Sequence, residues 1–405
     1  MKSKNYELSP RDVLFFRDGR PMDADKAVKD VRNIGHGAVW PRPDHLFKGA
    51  IHALLKSVSG AQFGDFPSLK VVGPYPAMDG VLYLPRPLDW DMSIERCTDT
   101  DLPAPLEFGF IDRVEGKKKY PAWIKYEDFA RYLRREDQGL YDAEEIEVGD
   151  NGEKITRKVV KFPYSDGALF GAEARIGTTL DAQTGASRRV NGEHASGQYQ
   201  GEYLRLQKGV TMWCAVETGK VGLRPDAPDA PELPRAIVLG GQGGVALRRE
   251  TDIDLAALFP APQVAAEGEV YVRWTLIAPA LFLQTGWLPG WCRDSRKNPP
   301  DPKPLGTVMF PGCDGCRLVG ACMGKPVFFS GWDTKTGVKP TMLAVPQGSA
   351  YLFRCDGKAG AEALIARLHL QRQSDFGPQG FGIGLCSIVK TARGAAARSG
   401  AGPRE

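Results

Sequence analysis

The segment from Arg235 to Arg249 is a run of strand-forming residues that stops at four glycines and then resumes into two arginines. β-branched residues favour strands, and glycine adopts backbone conformations that other residues rarely do. We therefore predict two strands joined by a loop whose bare N–H groups lie close to another group. Phosphate is the first candidate, because successive backbone amides form concave sites for anions.

Residues 241–246 match the G-x-G-x-x-A pattern of dinucleotide-binding loops. That pattern requires a long helix after the glycines and an acidic residue at the end of the next strand. Val245–Glu250 is too short for such a helix, and the chain has no Gly-Lys-Ser/Thr sequence for a P-loop. A β-bulge without a ligand is one interpretation. A second glycine-rich loop at Gly377–Gly384 favours the other, a cradle for a nucleic-acid backbone.

The composition indicates a globular chain with many loops. Its 405 residues are 42% hydrophobic, which is enough for a sizeable core. The 47 glycines and 31 prolines together make up about a fifth of the chain, above their ordinary share of roughly 12%. We expect a mixed α and β fold. The net charge of +4 does not by itself indicate a nucleic acid. No apolar run approaches the length of a membrane span, so we expect a soluble, cytoplasmic protein without a membrane partner.

The first part of the chain predicts a strand, a helix and a strand, which is half of a ferredoxin-like unit. The strand Tyr6–Phe16 is followed by the turn Arg17–Pro21, and a helix with an apolar face extends from about Asp44 to Gly60. Irregular residues from about 88 to 170 indicate an insertion. Residues from about 175 to 205 predict a long hairpin with arginines at its tip.

The cysteines and histidines give weaker signals. Cys313-Asp-Gly-Cys316 with Cys322 resembles one half of a structural zinc site, but the second CxxC pair is missing and unligated thiols are the alternative. Five histidines are scattered, and His45 and His52 are interpreted as core or helix-surface residues. His36 lies in a loop between glycines, where it can contact a ligand or act as a general base.

The order of several motifs resembles one protein family. The N-terminal residues Pro10–Pro21 and Trp40–Ala50, the hairpin residues Arg175–Asp181, the loop Leu239–Gly243 and the segment Ala344–Tyr351 carry the resemblance. Together they are similar to the RAMP-superfamily subunit that caps the crRNA 5′ end in type III-B CRISPR effector complexes. The resemblance spans nearly the whole chain.

The resemblance implies an α+β fold of two ferredoxin-like (RRM-like) domains with insertions and a protruding β-hairpin thumb. The domains would cover residues 1–250 and 251–405, the second with a Cys/Pro-rich insertion at about 286–325 and a disordered tail at about 391–405. It also implies no catalytic activity. The implied partners are the crRNA 5′ tag, the large polymerase/cyclase-like CRISPR subunit and the adjacent backbone RAMP subunit.

By the same resemblance, RNA contacts fall on the N-terminal turn, the first helix, the hairpin, the central glycine loop and the C-terminal segment. The residues are Arg17, Arg20, His36, Lys48, Arg175, Arg188, Arg189, Gly240, Gly241, Gln242, Gly243 and Lys339. The family commonly has a basic residue where Gly244 stands here, which leaves Arg248 or Arg249 as substitutes. Structural zinc at Cys313, Cys316 and Cys322 is the one cofactor that the sequence suggests, and unligated thiols are the alternative.

The sequence leaves two alternative functions open. One is an endoribonuclease of the same superfamily that processes CRISPR precursor RNA with His36 as its general base. The other is the equivalent subunit of a type III-A or type I complex.

Overall fold

The computed structural model describes residues 3–16, 38–58, 61–97, 102–113, 120–148, 154–178, 198–219, 231–265, 268–293, 304–330, 332–333, 337–338 and 340–389. Helices in these ranges are α1 (Pro43–Ser57), α2 (Tyr126–Leu133), α3 (Leu255–Leu258) and α4 (Lys358–Leu368). None of them combines the length and apolar character needed to cross a membrane.

The strands in the described ranges are short and numerous. They are β1 (Lys4–Pro10), β2 (Lys70–Met78), β3 (Val81–Pro85), β4 (Met92–Arg96), β5 (Phe108–Asp112), β6 (Trp123–Lys125), β7 (Asp142–Val148), β8 (Lys154–Val160), β9 (Phe170–Thr178), β10 (Gln198–Leu206), β11 (Val210–Glu217), β12 (Ala236–Val238), β13 (Val245–Glu250), β14 (Val270–Leu276), β15 (Cys316–Cys322), β16 (Val327–Phe329), β17 (Trp332–Asp333), β18 (Gly337–Val338), β19 (Met342–Ala344), β20 (Ala350–Cys355) and β21 (Gly384–Val389). The predicted α+β class is confirmed.

The first sheet has seven strands in the order β12-β13-β1-β11-β2-β3-β6. Helix α1 packs on it through the predicted apolar face, and Leu46, Ala50 and Leu54 are fully buried. These residues repeat every four positions, which places them on one side of a helix. The predicted helix is thus confirmed, although it ends at Ser57 rather than Gly60.

The second sheet has six strands in the order β21-β14-β20-β15-β5-β4, and α4 packs against it. Strands β4 and β5 come from the predicted insertion at 88–170, whereas β6 of the same insertion belongs to the first sheet. The insertion is therefore built into both sheets. The domain boundary at 250 and the finer assignment of two ferredoxin-like domains stay predictions.

The predicted thumb hairpin is a separate two-stranded ribbon of β9 and β10. Its antiparallel register runs from Phe170 opposite Leu206 to Thr178 opposite Gln198. The tip, including Arg188 and Arg189, lies outside the described residues. A second ribbon, β7 paired with β8, carries glutamates opposite basic residues: Glu144 faces Lys158 and Glu145 faces Arg157.

Candidate nucleic-acid interface

The segment Leu14–Phe16 joins the thumb hairpin to the central glycine loop. Leu14 and Leu204 exchange two backbone hydrogen bonds, with N···O distances of 2.9 and 2.8 Å. The next residue, Phe15, accepts a 2.8 Å hydrogen bond from the amide of Gly241. The thumb hairpin and the glycine loop, which were predicted separately from the sequence, are therefore both hydrogen-bonded to Leu14–Phe16. This segment immediately precedes the predicted contacts Arg17 and Arg20.

The glycine loop itself turns between β12 and β13 and is closed by a 2.8 Å hydrogen bond from Leu239 N to Gly244 O. Gly240, Gln242 and Gly243 all have positive φ, at 72°, 60° and 67°. A Cβ atom on Gly240 would lie 2.5 Å from the carbonyl oxygen of Phe15, a distance that no real contact allows. Glycine is therefore required there for packing as well as for backbone conformation.

The loop exposes residues 240–243 to solvent. The amide of Gly241 donates to the carbonyl oxygen of Phe15. Of the predicted RNA contacts in the loop, Gly241 therefore uses its N–H group within the protein. The exposed backbone of Gly240, Gln242 and Gly243 is the part of the loop that can approach a phosphate. Exposed, closely spaced backbone of this kind suits an anion without requiring a side chain.

Helix α1 lies directly against both glycine-rich loops. A Cβ atom on Gly49 would lie 2.7 Å from Leu239 Cδ2 and 2.9 Å from the carbonyl oxygen of Val238. Gly380, in the C-terminal loop, has φ of 95°, and its Cβ atom would lie 2.8 Å from Pro43 Cβ. The similarity between the two loops thus extends to their location, because both pack closely against the same helix.

Lys48 of α1, a predicted RNA contact, is held by the fully buried carboxylate of Asp44. Its Nζ atom lies 3.0 Å from Asp44 Oδ2, while Arg42 Nε lies 3.1 Å from Asp44 Oδ1. Burial alone would raise the pKa of Asp44, but the neighbouring positive groups hold it below its usual value. The Lys48 side chain remains 45% exposed, so its ammonium group is oriented and still accessible.

The histidine beside this pair is half-buried, in agreement with its interpretation as a core or helix-surface residue. The Nδ1 atom of His45 accepts a 3.2 Å hydrogen bond from Arg42 N, and its ring contacts Phe16. Burial lowers the pKa of His45 to about 4, so the ring is neutral at physiological pH. His369 is similarly held, with its Nδ1 accepting from Cys386 N. His36 lies outside the described residues.

Arg175, at the base of the thumb, does not present a free cation. Its Nη1 and Nη2 atoms bind both oxygens of Asp12 at 2.9 and 3.0 Å, and its Nε atom binds Glu173 at 2.7 Å. Arg205 reaches the same two carboxylates, with distances of 3.0 Å to Asp12 and 2.6 Å to Glu173. Two arginines and two carboxylates have no net charge, so this network anchors the thumb more than it attracts phosphate.

The lowered pKa values of Asp12 and Glu173 are consistent with an ion-pair network that anchors the thumb. Hydrogen bonding from Arg175 lowers the pKa of Asp12 to about 2, and hydrogen bonding from Arg205 and Arg175 lowers that of Glu173 to about 2. Both acids are therefore ionised at neutral pH. The sequence contained a signal for half of this network, because Glu173 and Arg175 are two residues apart and share one face of a strand.

Arg248 and Arg249, which could replace the basic residue that the family commonly has at position 244, differ in how exposed they are. Arg248 lies over the ring of Tyr6 and pairs with Glu232 and Glu250, at 3.5 and 3.3 Å. Its side chain is only 15% exposed. Arg249 pairs with Glu7 but is 76% exposed, which makes it the better placed of the two for a ligand.

The suggested zinc ligands are not assembled. Cys316 and Cys322 occupy opposite ends of β15, and six residues of extended chain span roughly 20 Å. Cys316 instead faces Cys355 on β20, with 2.8 Å between the two sulfur atoms, inside the core. Within the described ranges, no group of three or more His, Cys, Asp or Glu side chains is arranged to hold a metal ion. The grouping of Cys313, Cys316 and Cys322 on one ion was therefore wrong.

Six of the predicted RNA contacts fall outside the described residues, so their roles stay predictions. They are Arg17, Arg20, His36, Arg188, Arg189 and Lys339. The sequence reasoning missed the residues that organise the others, namely Asp12, Leu14 and Asp44. Their roles depend on partners far along the chain or on burial, and no local pattern indicates either.

Comparisons of the chain with protein families and with solved structures both found matches. Residues 6–391 match the family described as CRISPR-associated protein (Cas_Cmr3). A cryo-EM structure of the Type III-B Cmr-beta bound to cognate target RNA and AMPPnP contains a similar chain, with 15% identity, 86% coverage of both chains and a TM-score of 0.42. A crystal structure of the Csm3-Csm4 subcomplex of the type III-A interference complex contains another, with 11% identity, 87% coverage of this chain, 94% of that one and a TM-score of 0.37. No curated protein matched the sequence. Because the family match spans nearly the whole sequence, the chain belongs to the Cas_Cmr3 family of CRISPR-associated proteins.

Proposed function

We propose that this chain is a non-catalytic subunit of a type III CRISPR effector complex that binds and caps the 5′ tag of crRNA. Membership of the Cas_Cmr3 family supports the assignment to the complex. The observation that carries tag binding is the joint at Leu14–Phe16, where the thumb hairpin and the central glycine loop are hydrogen-bonded to one segment.

This joint suits single-stranded RNA. Such RNA is held by backbone groups and cations on its phosphates and by stacking on its bases, without a helix that reads a groove. Near the joint, the exposed glycine loop provides the backbone groups and Lys48 provides a cation. The thumb leaves the same joint, so a strand bound along the loop would meet the hairpin, which would separate the tag from the guide.

The proposed protein partners are the large polymerase/cyclase-like subunit and the adjacent backbone RAMP subunit, as the family resemblance implies. The proposed lack of catalysis is supported by His369, which is buried, and by His45, which is half-buried with its Nδ1 atom bonded to Arg42 N. The endoribonuclease alternative depends on His36, which lies outside the described residues. Cleavage of repeat RNA that disappears in His36→Ala would replace this proposal with that alternative.

Charge reversal at the thumb tests the proposal. Arg188→Glu combined with Arg189→Glu is expected to weaken crRNA binding at least tenfold at low salt, since roughly two phosphate contacts are lost. The slope of log K against log salt concentration should also become shallower by about 1.4. Filter binding or fluorescence anisotropy across a salt series measures both quantities.

The matched control is a pair of neighbouring basic residues on the other ribbon. Arg157→Glu combined with Lys158→Glu makes the same charge change at exposed positions of β8. This control should leave the affinity for crRNA and its salt dependence unchanged. If both double variants weakened binding equally, the effect would reflect overall charge, and a specific role for the thumb would be rejected.

A further inference from the structure

The ribbon formed by β16 and β19 has an apolar pair on its solvent side. Phe328 lies opposite Leu343 in the antiparallel register, and these side chains are 59% and 56% exposed. On the other face, Phe329 and Met342 pack with Leu281 and Phe381. Since side chains alternate between the faces of a strand, one face anchors the ribbon and the other is expected to be polar. The outer face of this ribbon is apolar instead.

The charges on the two segments that form this ribbon favour an anionic partner. No carboxylate occurs from Met323 to Ser330 or from Pro340 to Ala350, and Lys325 in the first of these segments is exposed. The whole stretch 323–345 contains three lysines and one aspartate. The two segments that form the ribbon thus combine exposed apolar side chains with an exposed lysine and no carboxylate, and aromatic rings on positively charged surfaces bind single-stranded nucleic acids.

The ribbon is attached to the interface already described. Arg42 Nη2 donates to Ser330 O at 3.3 Å, and the Arg42 guanidinium lies 5.2 Å from the centre of the Phe329 ring. The Phe329 ring in turn contacts Phe376, which directly precedes the C-terminal glycine loop. The ribbon is therefore held beside the start of α1, the helix that carries Lys48 and contacts both glycine loops.

We infer that Phe328 is a base-stacking platform for the bound single-stranded RNA, with Leu343 contacting the same nucleotide and Lys325 a neighbouring phosphate. The inference rests on the proposed function, because it names a further contact for the same RNA. Every base has a π face, so stacking here contributes affinity that does not depend on the sequence of the tag. Within the described residues, the Phe328 ring has no aromatic or cationic partner that would compete with a base.

The test compares substitutions that separate a π face from apolar character. In the full-length chain with fluorescently labelled, 5′-tagged crRNA, Phe328→Ala is expected to raise Kd about 5- to 100-fold. Phe328→Leu, which keeps an apolar side chain without a π face, should weaken binding similarly. Phe328→Trp should bind at least as tightly as the unsubstituted chain. Ile111→Ala, at a 45% exposed position on β5, is the control and should have no effect.

Photocrosslinking adds a direct readout. RNA carrying 5-iodouridine at successive positions should crosslink to the peptide that contains Phe328 from one or two of these positions. Binding of tagged crRNA that is unaffected by Phe328→Ala would overturn the inference while leaving the proposed function intact. Unchanged affinity in Phe328→Leu would also overturn it, and so would loss of a copurifying subunit in Phe328→Ala without loss of RNA. Failure of the unsubstituted chain to bind tagged crRNA would instead reject the proposed function itself.

Discussion

Arg273→Met is expected to lower the free energy of unfolding by about 3–5 kcal/mol, because it leaves the buried Asp89 carboxylate without its cation. Arg273 and Asp89 are both completely buried, and Arg273 Nη1 lies 3.0 Å from Asp89 Oδ2. Removing one partner of a buried ion pair lowers the free energy of unfolding far more than losing an exposed ion pair does.

The position of this arginine explains the size of the expected loss. Its Nη2 atom donates to Tyr132 O at 2.8 Å, its Nε atom donates to Ser387 Oγ at 3.1 Å, and its guanidinium lies 3.7 Å from the centre of the Tyr132 ring. One side chain of β14 thus connects α2, β21 and the turn before β4. These contacts join the predicted insertion to the second sheet.

Urea denaturation followed by tryptophan fluorescence measures the effect. Arg134→Met is the control, because Arg134 lies just after α2 in an exposed pair with Glu136 and its loss should cost no more than about 1 kcal/mol. If Arg273→Met lowered the free energy of unfolding no more than Arg134→Met does, the buried network would not hold the insertion in place.

Gly240→Ala is expected to destabilise the protein by on the order of 3 kcal/mol and to weaken crRNA binding about tenfold. The new methyl group would occupy a positive-φ position and would overlap the Phe15 carbonyl oxygen. Because that carbonyl accepts from Gly241, relief of the overlap must separate the loop from the segment that joins it to the thumb.

Gly243→Ala provides a control within the same loop. Gly243 also has positive φ, but nothing lies within 4 Å of its Cβ position. This substitution should therefore lower the free energy of unfolding by the backbone contribution alone, about 1 kcal/mol. Thermal unfolding of both variants separates the overlap with Phe15 from the cost of a positive φ, and anisotropy measures the RNA affinity of Gly240→Ala. Equal losses of stability in both variants would mean that the overlap with Phe15 does not matter for the loop.

Local patterns predicted the elements that depend on local physics. The spacing of Leu46, Ala50 and Leu54 indicated α1, and the glycines at 240–244 indicated a tight turn between strands. Each of these depends on residues within a few positions of one another. The order of the motifs along the chain was enough to indicate the family, which the match over residues 6–391 confirms.

Features that depend on distant partners were not predictable in this way. No pattern within β4 and β5 shows that they join the second sheet, since their pairing is decided by β15, some 200 residues later in the chain. The pairing of Arg175 with Asp12 was not predictable, because the two residues are 163 positions apart. The spacing of Cys316 and Cys322 suggested proximity, but an extended strand holds them apart.

The most direct test of the central claim is the affinity of the purified chain for matched crRNAs with and without the repeat-derived 5′ tag, at fixed physiological salt. The proposed function predicts 1:1 binding to tagged crRNA that is at least roughly tenfold tighter than binding to the untagged guide, a difference of about 1.4 kcal/mol. Equal affinity for the two RNAs would contradict it, because binding would then depend on the RNA backbone alone.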